Sequence, residues 1–238
     1  MKFFRFLKDS FRSLTPFEWV LWIGSLAAIA VSFFAARGTD YLTLAASLLG
    51  ATSLIFLAKG NVLGQALVII FGILYAIVSY SFAYYGEMIT YLGMTLPSAV
   101  VSVIVWLKNS FRGNHTEIAI NALRKREYPV IFALAAAVTV AFYFILRALG
   151  TSNLFFSTLS VLTSFIASAF AVRRSPLYAL AYALNDVVLI VLWILATIES
   201  LSYLPVVVCF AVFLINDFYG FISWTRIRRR QQTEHEPL

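Results

Sequence analysis

The sequence predicts an all-α polytopic membrane protein. Its eight transmembrane helices form two parallel three-helix repeats joined by a linker helix (3+1+3), with one extra helix ahead of them. Three observations lead there. The 238 residues are 61% hydrophobic and only 12% charged, against about 25% charged in a soluble domain. The apolar residues fall in eight runs, each close to the ~20 residues a helix needs to cross the hydrocarbon core. The basic residues gather in alternate connections and at the two ends. The net charge of +7 therefore reads as membrane topology rather than as a phosphate-binding face, and nucleic acid is not an expected partner.

In the first fourteen residues, Phe3, Phe4, Leu7, Phe11 and Leu14 alternate with Lys2, Arg5, Lys8 and Arg12, the pattern of a short amphipathic helix lying on an anionic leaflet. Thr15-Pro16-Phe17-Glu18 has capping-box spacing with proline at the first helical position, a helix start. The run 17–35 that follows is long for a signal peptide and lacks a small-x-small cleavage site, so it reads as a retained span. Further spans are expected at 41–58, 62–85, 88–107, 128–147, 154–172, 177–198 and 201–224. Connections as short as Lys59-Gly60 and Arg173-Arg174-Ser175 force antiparallel neighbours. With both termini in the cytoplasm, sixteen of the eighteen Lys and Arg lie inside, and only Arg37 and Arg147 lie outside. That asymmetry supports both the span count and the orientation.

Residues 41–108 and 154–226 echo one another. Leu57-Ala58-Lys59-Gly60 corresponds to Ala171-Val172-Arg173-Arg174, and Val105-Trp106-Leu107-Lys108 to Ser223-Trp224-Thr225-Arg226. One span between two triplets leaves both triplets in the same orientation, a parallel repeat about an axis along the membrane normal, as transporters use. The organisation is thus 1–40, an amphipathic segment and extra helix; 41–110, the first repeat; 111–153, a cytoplasmic loop and linker helix; 154–226, the second repeat; and 227–238, a basic and polar cytoplasmic tail.

Candidate chemistry lies inside the spans. Asn185-Asp186 and Asn216-Asp217 sit at matched depth on consecutive helices, and intramembrane acids usually face a bundle interior or a wet cavity. Trp193 lies two turns from Asp186, and Tyr219 lies three residues from Asn216, so helical spacing aligns them. The first repeat contributes Asn61, Gln65, Tyr75, Tyr80, Glu87, Tyr91, Pro97 and Trp106; Gln65 can face the cavity, Tyr75 like Trp193 lies deeper in its span, and Pro97 is a candidate hinge. Glu87 falls at an outer turn and is expected to be solvated. Trp19, Trp22, Trp106 and Trp224 sit near span ends, where an aromatic belt accounts for them. Asn and Asp suit hydroxyls or an amide, while Tyr and Trp suit an aromatic or cationic ring; the bland alternative is interhelical hydrogen bonding. Cys209 stands alone, and both histidines, His115 and His235, lie in polar segments. No metal site and no cofactor are expected.

Tyr84-Tyr85-Gly86-Glu87-Met88, Leu96-Pro97 leading to Trp106-Leu107-Lys108-Asn109, Asn185-Asp186 with Leu192-Trp193, and Asn216-Asp217-Phe218-Tyr219-Gly220 with Trp224 resemble the PnuC family of bacterial nicotinamide riboside transporters over about 41–230. The resemblance implies a fold like that of the SWEET sugar transporters in opposite orientation, assembled as a homotrimer in the inner membrane. It further implies uptake of the riboside, an NAD precursor, by facilitated diffusion, with phosphorylation in the cytoplasm as the trap. It points to Asn185, Trp193, Asn216 and Tyr219 as binding residues, with Gln65, Tyr75, Asp186 and Asp217 beside them. Because related members are thought to carry thiamine or riboflavin, those vitamins are the alternative substrates. An intramembrane aspartyl protease would need Tyr-Asp and Gly-x-Gly-Asp arrangements that are not present, and a receptor or scaffold would need a soluble domain. Alternating access is expected, with the solute's ring between Trp193 and Tyr219 and its hydroxyls on Asn185 and Asn216. On that reading Asn216→Leu abolishes binding, and a proton gradient does not accelerate uptake.

Overall fold

In the computed structural model the described residues are 2–81, 84–199 and 201–234. Residues 82–83 of the span expected at 62–85, and tail residues 235–238 with His235, lie outside them. Among the described residues, eight helices are long and apolar enough to cross a membrane. An amphipathic helix α1 (Lys2–Arg12) precedes the first of them, α2 (Pro16–Ala35). The capping box forms as expected: the Thr15 side chain accepts from Glu18 N, and Thr15 N donates to Glu18 Oε2 at 2.6 Å. The first repeat comprises α3 (Tyr41–Ala58), α4 (Val62–Ser81) and a broken third span. That span runs as α5 (Tyr85–Thr90), a π-helical turn (Tyr91–Thr95) and α6 (Leu96–Lys108). The break has a local cause. Pro97 cannot donate to the carbonyl four residues back and its ring crowds that carbonyl, so the turn before it widens.

The linker helix α7 (Glu127–Ala148) leads to α8 (Leu154–Val172), α9 (Leu177–Glu199) and α10 (Leu204–Thr233). The six repeat helices close a ring in the order α3, α4, α6, α8, α9, α10 and back to α3. The helix α7 packs outside the ring on α8, and α2 packs outside it on α3 and α10. Close approach within the first repeat requires Gly64, where a Cβ would lie 2.5 Å from the Leu57 backbone nitrogen.

At the basic end the two repeats are tied to each other reciprocally. Trp106 Nε1, on the last helix of the first repeat, donates to the Ala171 carbonyl on the first helix of the second at 3.0 Å. Trp224 Nε1, its counterpart, donates to the Leu57 carbonyl at 2.7 Å. Both indoles are fully buried, their rings 5.5 Å apart. The belt expectation for these two tryptophans is therefore corrected: each bonds a carbonyl in the last turn of a helix, which also accepts from the turn beyond it, Gly60 N to Leu57 O at 2.8 Å and Arg174 N to Ala171 O at 3.0 Å. The turns beyond those carbonyls match as well, with Gly60 at φ +64 and Arg174 at φ +57.

Two further features depart from expectation. The tail continues α10 to Thr233, because 225–233 holds no Gly or Pro and is rich in helix-forming Arg and Gln. The loop after α6 folds into a two-stranded hairpin, β1 (Ser110–Phe111) and β2 (Asn114–Ile118). That hairpin bridges the basic end: Ile118 N donates to Gly60 O at 3.0 Å, and Gln231 Nε2 donates to Ile118 O at 2.8 Å. Arg230 also reaches the Glu117 carboxylate.

Candidate solute site

On the axis of the six-helix ring lies a cavity that all three spans of each repeat help to line. The first repeat supplies Ser53 and Leu57 from α3, Gln65, Val68 and Phe71 from α4, and Tyr91 and Thr95 from the π-helical turn. From the second come Ser164 on α8, Tyr182, Asn185 and Asp186 on α9, and Phe210, Phe213 and Asp217 on α10. Asp186 lies nine residues into α9 and Asp217 nine residues before Arg226, so each is about 14 Å from the basic end. The depth match follows from helical rise alone.

The polar groups are oriented. Thr163 Oγ1 and Ser164 Oγ donate to Asn185 Oδ1 at 2.8 and 2.9 Å. Those two bonds fix the amide, and its Nδ2 has no protein acceptor among the described residues. The carboxyl groups of Asp186 and Asp217 lie side by side, each 4% exposed. Asp186 Oδ2 is buried with no hydrogen-bond partner among the described residues. An unpartnered buried carboxyl oxygen costs several kcal/mol unless something else satisfies it. Phe71, Tyr91, Tyr182, Phe210 and Phe213 supply ring faces around this polar wall. Among the described residues, no Lys, Arg or His lines the cavity.

The cavity volume is about 60 Å³. That holds roughly four or five waters, whereas a site for a drug-sized solute spans about 300–1,000 Å³. The ring is therefore contracted around its centre, and admitting a solute requires the repeats to move apart.

Of the residues singled out from sequence, the structure gathers Gln65, Asn185, Asp186 and Asp217 on the cavity wall. It places the other four elsewhere. Trp193 and Tyr75 are fully packed above the cavity, joined by a 3.0 Å bond from Trp193 Nε1 to Tyr75 Oη. They sit in an aromatic cluster with Tyr84, Tyr91 and Tyr203. Asn216 and Tyr219 turn outward against α2: Asn216 Nδ2 donates to Ser25 Oγ at 3.0 Å, and Tyr219 Oη donates to Glu18 Oε1 at 2.7 Å. A ring held between Trp193 and Tyr219 is thus not an arrangement this structure assembles. Helical spacing put Asn216 and Asp217 on one segment, but adjacent residues point about 100° apart.

Glu87, expected to be solvated, is instead 2% exposed and accepts from Ser160 Oγ at 3.1 Å. It lies beside the tyrosine cluster because α5 tucks its first turn against α8. Tyr91, counted among the first repeat's contributions from sequence, also lies on the wall, whereas reasoning from sequence passed over Thr95 and Ser164. The signal that could have found Thr95 is Pro97, whose disruption of the preceding turn aims it inward.

A ring of two parallel triplets around a polar, aromatic-walled centre, closed at one end by reciprocal bonds between the halves, defines a membrane transporter for a small solute. Comparison with known proteins agrees and narrows the class. The model of the nicotinamide mononucleotide transporter family matches residues 40–226, and the chain belongs to that family; α1 and α2 lie outside the matched range. The chain is 26% identical to the nicotinamide riboside transporter PnuC of Neisseria mucosa, over 94% of this chain and 86% of that protein. It is 24% identical to the transporter of the same name from Haemophilus influenzae, over 94% of this chain and 96% of the relative. The crystal structure of the vitamin B3 transporter PnuC superposes with a TM-score of 0.80 at 26% identity, covering 92% of this chain and 94% of that one.

Proposed function

We propose that this protein carries nicotinamide riboside across the bacterial inner membrane, with both termini in the cytoplasm, by alternating access and without chemical change to the solute. The observation that carries the reading is the Asp186–Asp217 wall, unpartnered on one oxygen and faced by aromatic rings. Nicotinamide riboside is a pyridinium cation bearing a carboxamide and ribose hydroxyls. The acidic wall suits the cationic ring and the hydroxyls, the rings stack on it at ~1–2 kcal/mol when desolvated, and Asn185 and Gln65 serve the carboxamide.

The same wall discriminates between riboside and mononucleotide. A phosphate monoester carries about two negative charges at neutral pH, and the cavity offers two carboxyls and no basic side chain to meet it. The riboside is therefore favoured by this lining over the mononucleotide in the family's description, and the names of both relatives favour it over thiamine or riboflavin. Transport follows the concentration gradient: the repeats part first at one end and then at the other. Opening on the cytoplasmic side separates the Trp106 and Trp224 bonds. Assembly as a homotrimer is part of the proposal, on the resemblance alone.

Calorimetric titration of the detergent-purified protein with nicotinamide riboside, nicotinamide mononucleotide, thiamine and riboflavin tests the reading. Saturable binding of the riboside, with the mononucleotide at least tenfold weaker, is expected; equal binding of the two overturns it. In vesicles, riboside uptake at unchanged rate with and without a proton gradient is the expected result, and acceleration by the gradient would remove facilitated diffusion.

A further inference from the structure

A second cavity lies outside the ring, between the basic ends of α7 and α8. It is an open groove of about 880 Å³. Its upper wall carries Arg124, Arg126, Arg173 and Arg174 against a single acid, Glu127, a net charge of +3. Glu127 is committed to structure: it pairs with Arg173 and accepts from the Arg124 backbone nitrogen at 2.7 Å. Arg174 Nη1 donates to the Ala119 carbonyl at 2.9 Å, which holds that guanidinium at the groove. Among the described residues, neither the Arg124 nor the Arg126 side chain makes an ion pair. The lower wall is apolar, built from Val130, Ile131, Ala169 and Val172. It runs directly into the outward face of α7, where Val130, Leu134 and Phe144 are more than half exposed.

We infer that this groove binds the headgroup of an anionic phospholipid, its phosphodiester on Arg124 and Arg126 and one acyl chain along Val130. Two features decide the occupant. The guanidiniums sit at the end of a membrane-spanning helix, the depth of the headgroup layer, where basic side chains attract anionic lipid and arginine matches phosphate geometry with paired donors. The apolar floor then continues along the exposed apolar face of α7, and a free phosphate would leave that floor unused. The lipid would wedge the linker helix against the second repeat, outside the path of the solute.

Native mass spectrometry of the purified wild-type protein, titrated with phosphatidylglycerol, phosphatidylcholine or inorganic phosphate, reads the site. Phosphatidylglycerol retained in preference to phosphatidylcholine is expected. The double substitution Arg124→Gln/Arg126→Gln should weaken phosphatidylglycerol binding about thirtyfold, with riboside affinity unchanged. Equal retention of the two lipids, an unaltered double variant, or full competition by millimolar phosphate would each overturn the inference. So would cross-linking through the groove to a second copy of the chain. If the double variant does not fold, Val130→Glu replaces it: a carboxylate on the apolar wall should expel the same lipid, and undiminished binding counts against the site.

Discussion

The two repeats share a frame and differ in chemistry. Counted from their matched left-handed turns, Gly60 and Arg174, the inner part of α4 and α9 can be compared position by position. Val68 corresponds to Tyr182 and Phe71 to Asn185, and all four line the cavity. Gly72 corresponds to Asp186, and Gln65 to Ala179. At the basic end the symmetry is closer still, since each repeat's tryptophan donates to the other's first helix. The shared parts close the ring, where both halves face the same geometric demand. The parts that differ face the solute, which has no twofold symmetry and is better held by unlike walls. Both repeats bring rings and an amide, Phe71, Tyr91 and Gln65 from the first and Tyr182, Phe210, Phe213 and Asn185 from the second, but both acids come from the second.

This contrast predicts unequal effects of removing cavity groups. Asp217→Asn should weaken riboside binding about a hundredfold, because a buried charge facing a cation is worth ~2–5 kcal/mol. Titration calorimetry measures it; an effect below threefold would show that the acids only bridge α9 and α10. Gln65→Leu, on the first repeat, should cost about tenfold, in line with one hydrogen bond at ~1–1.5 kcal/mol. If Gln65→Leu cost more than Asp217→Asn, the division of labour between the repeats would be reversed.

The frame was more legible in the sequence than the site. Eight apolar runs, short turns between them and the Trp106/Trp224 echo are long-range patterns that lipid and topology impose directly, and the spans and the repeats follow from them. Which face of a span meets the centre depends on its neighbours. Asn216-Asp217 shows the limit, because one residue faces the cavity and the next faces α2, whose place in the bundle no periodicity reveals. Trp193 and Tyr75 are buried, yet their hydrogen bond to each other closes a cluster above the cavity rather than a wall of it. Glu87 misled because its turn is short and polar, and only the tucked helix α5 buries it.

The reciprocal tryptophans allow a test of the symmetric half of the comparison. Trp106→Phe and Trp224→Phe each keep the ring and remove one bond of ~1 kcal/mol to a buried carbonyl. Each should shift the population toward the form open at the basic end by about fivefold, and the two shifts should match. Hydrogen exchange at residues 56–60 and 170–174 reports the opening. A shift from one variant alone would mean that the second bond only fills space, and that the two halves do not part as equivalent bodies.

Asn216→Leu gives the smallest effect on affinity and separates the outer helix from the ring. Read from sequence, this substitution abolishes binding. In the structure the Asn216 amide anchors α2 through Ser25 and lies off the cavity wall, with Glu18 bonded to Tyr219 and paired with Lys59 at 3.4 Å to complete the attachment. The expected outcome is riboside affinity within threefold of wild type and a melting temperature lower by about 2–4 °C, the yield of one interhelical bond near ~1 kcal/mol. Tyr219→Phe, which also loses a bond to α2, should behave alike. Lost binding with an unchanged melting temperature would mean that α10 rotates during the transport cycle to bring Asn216 inward, so that the repeat carrying the acids turns as well as rocks.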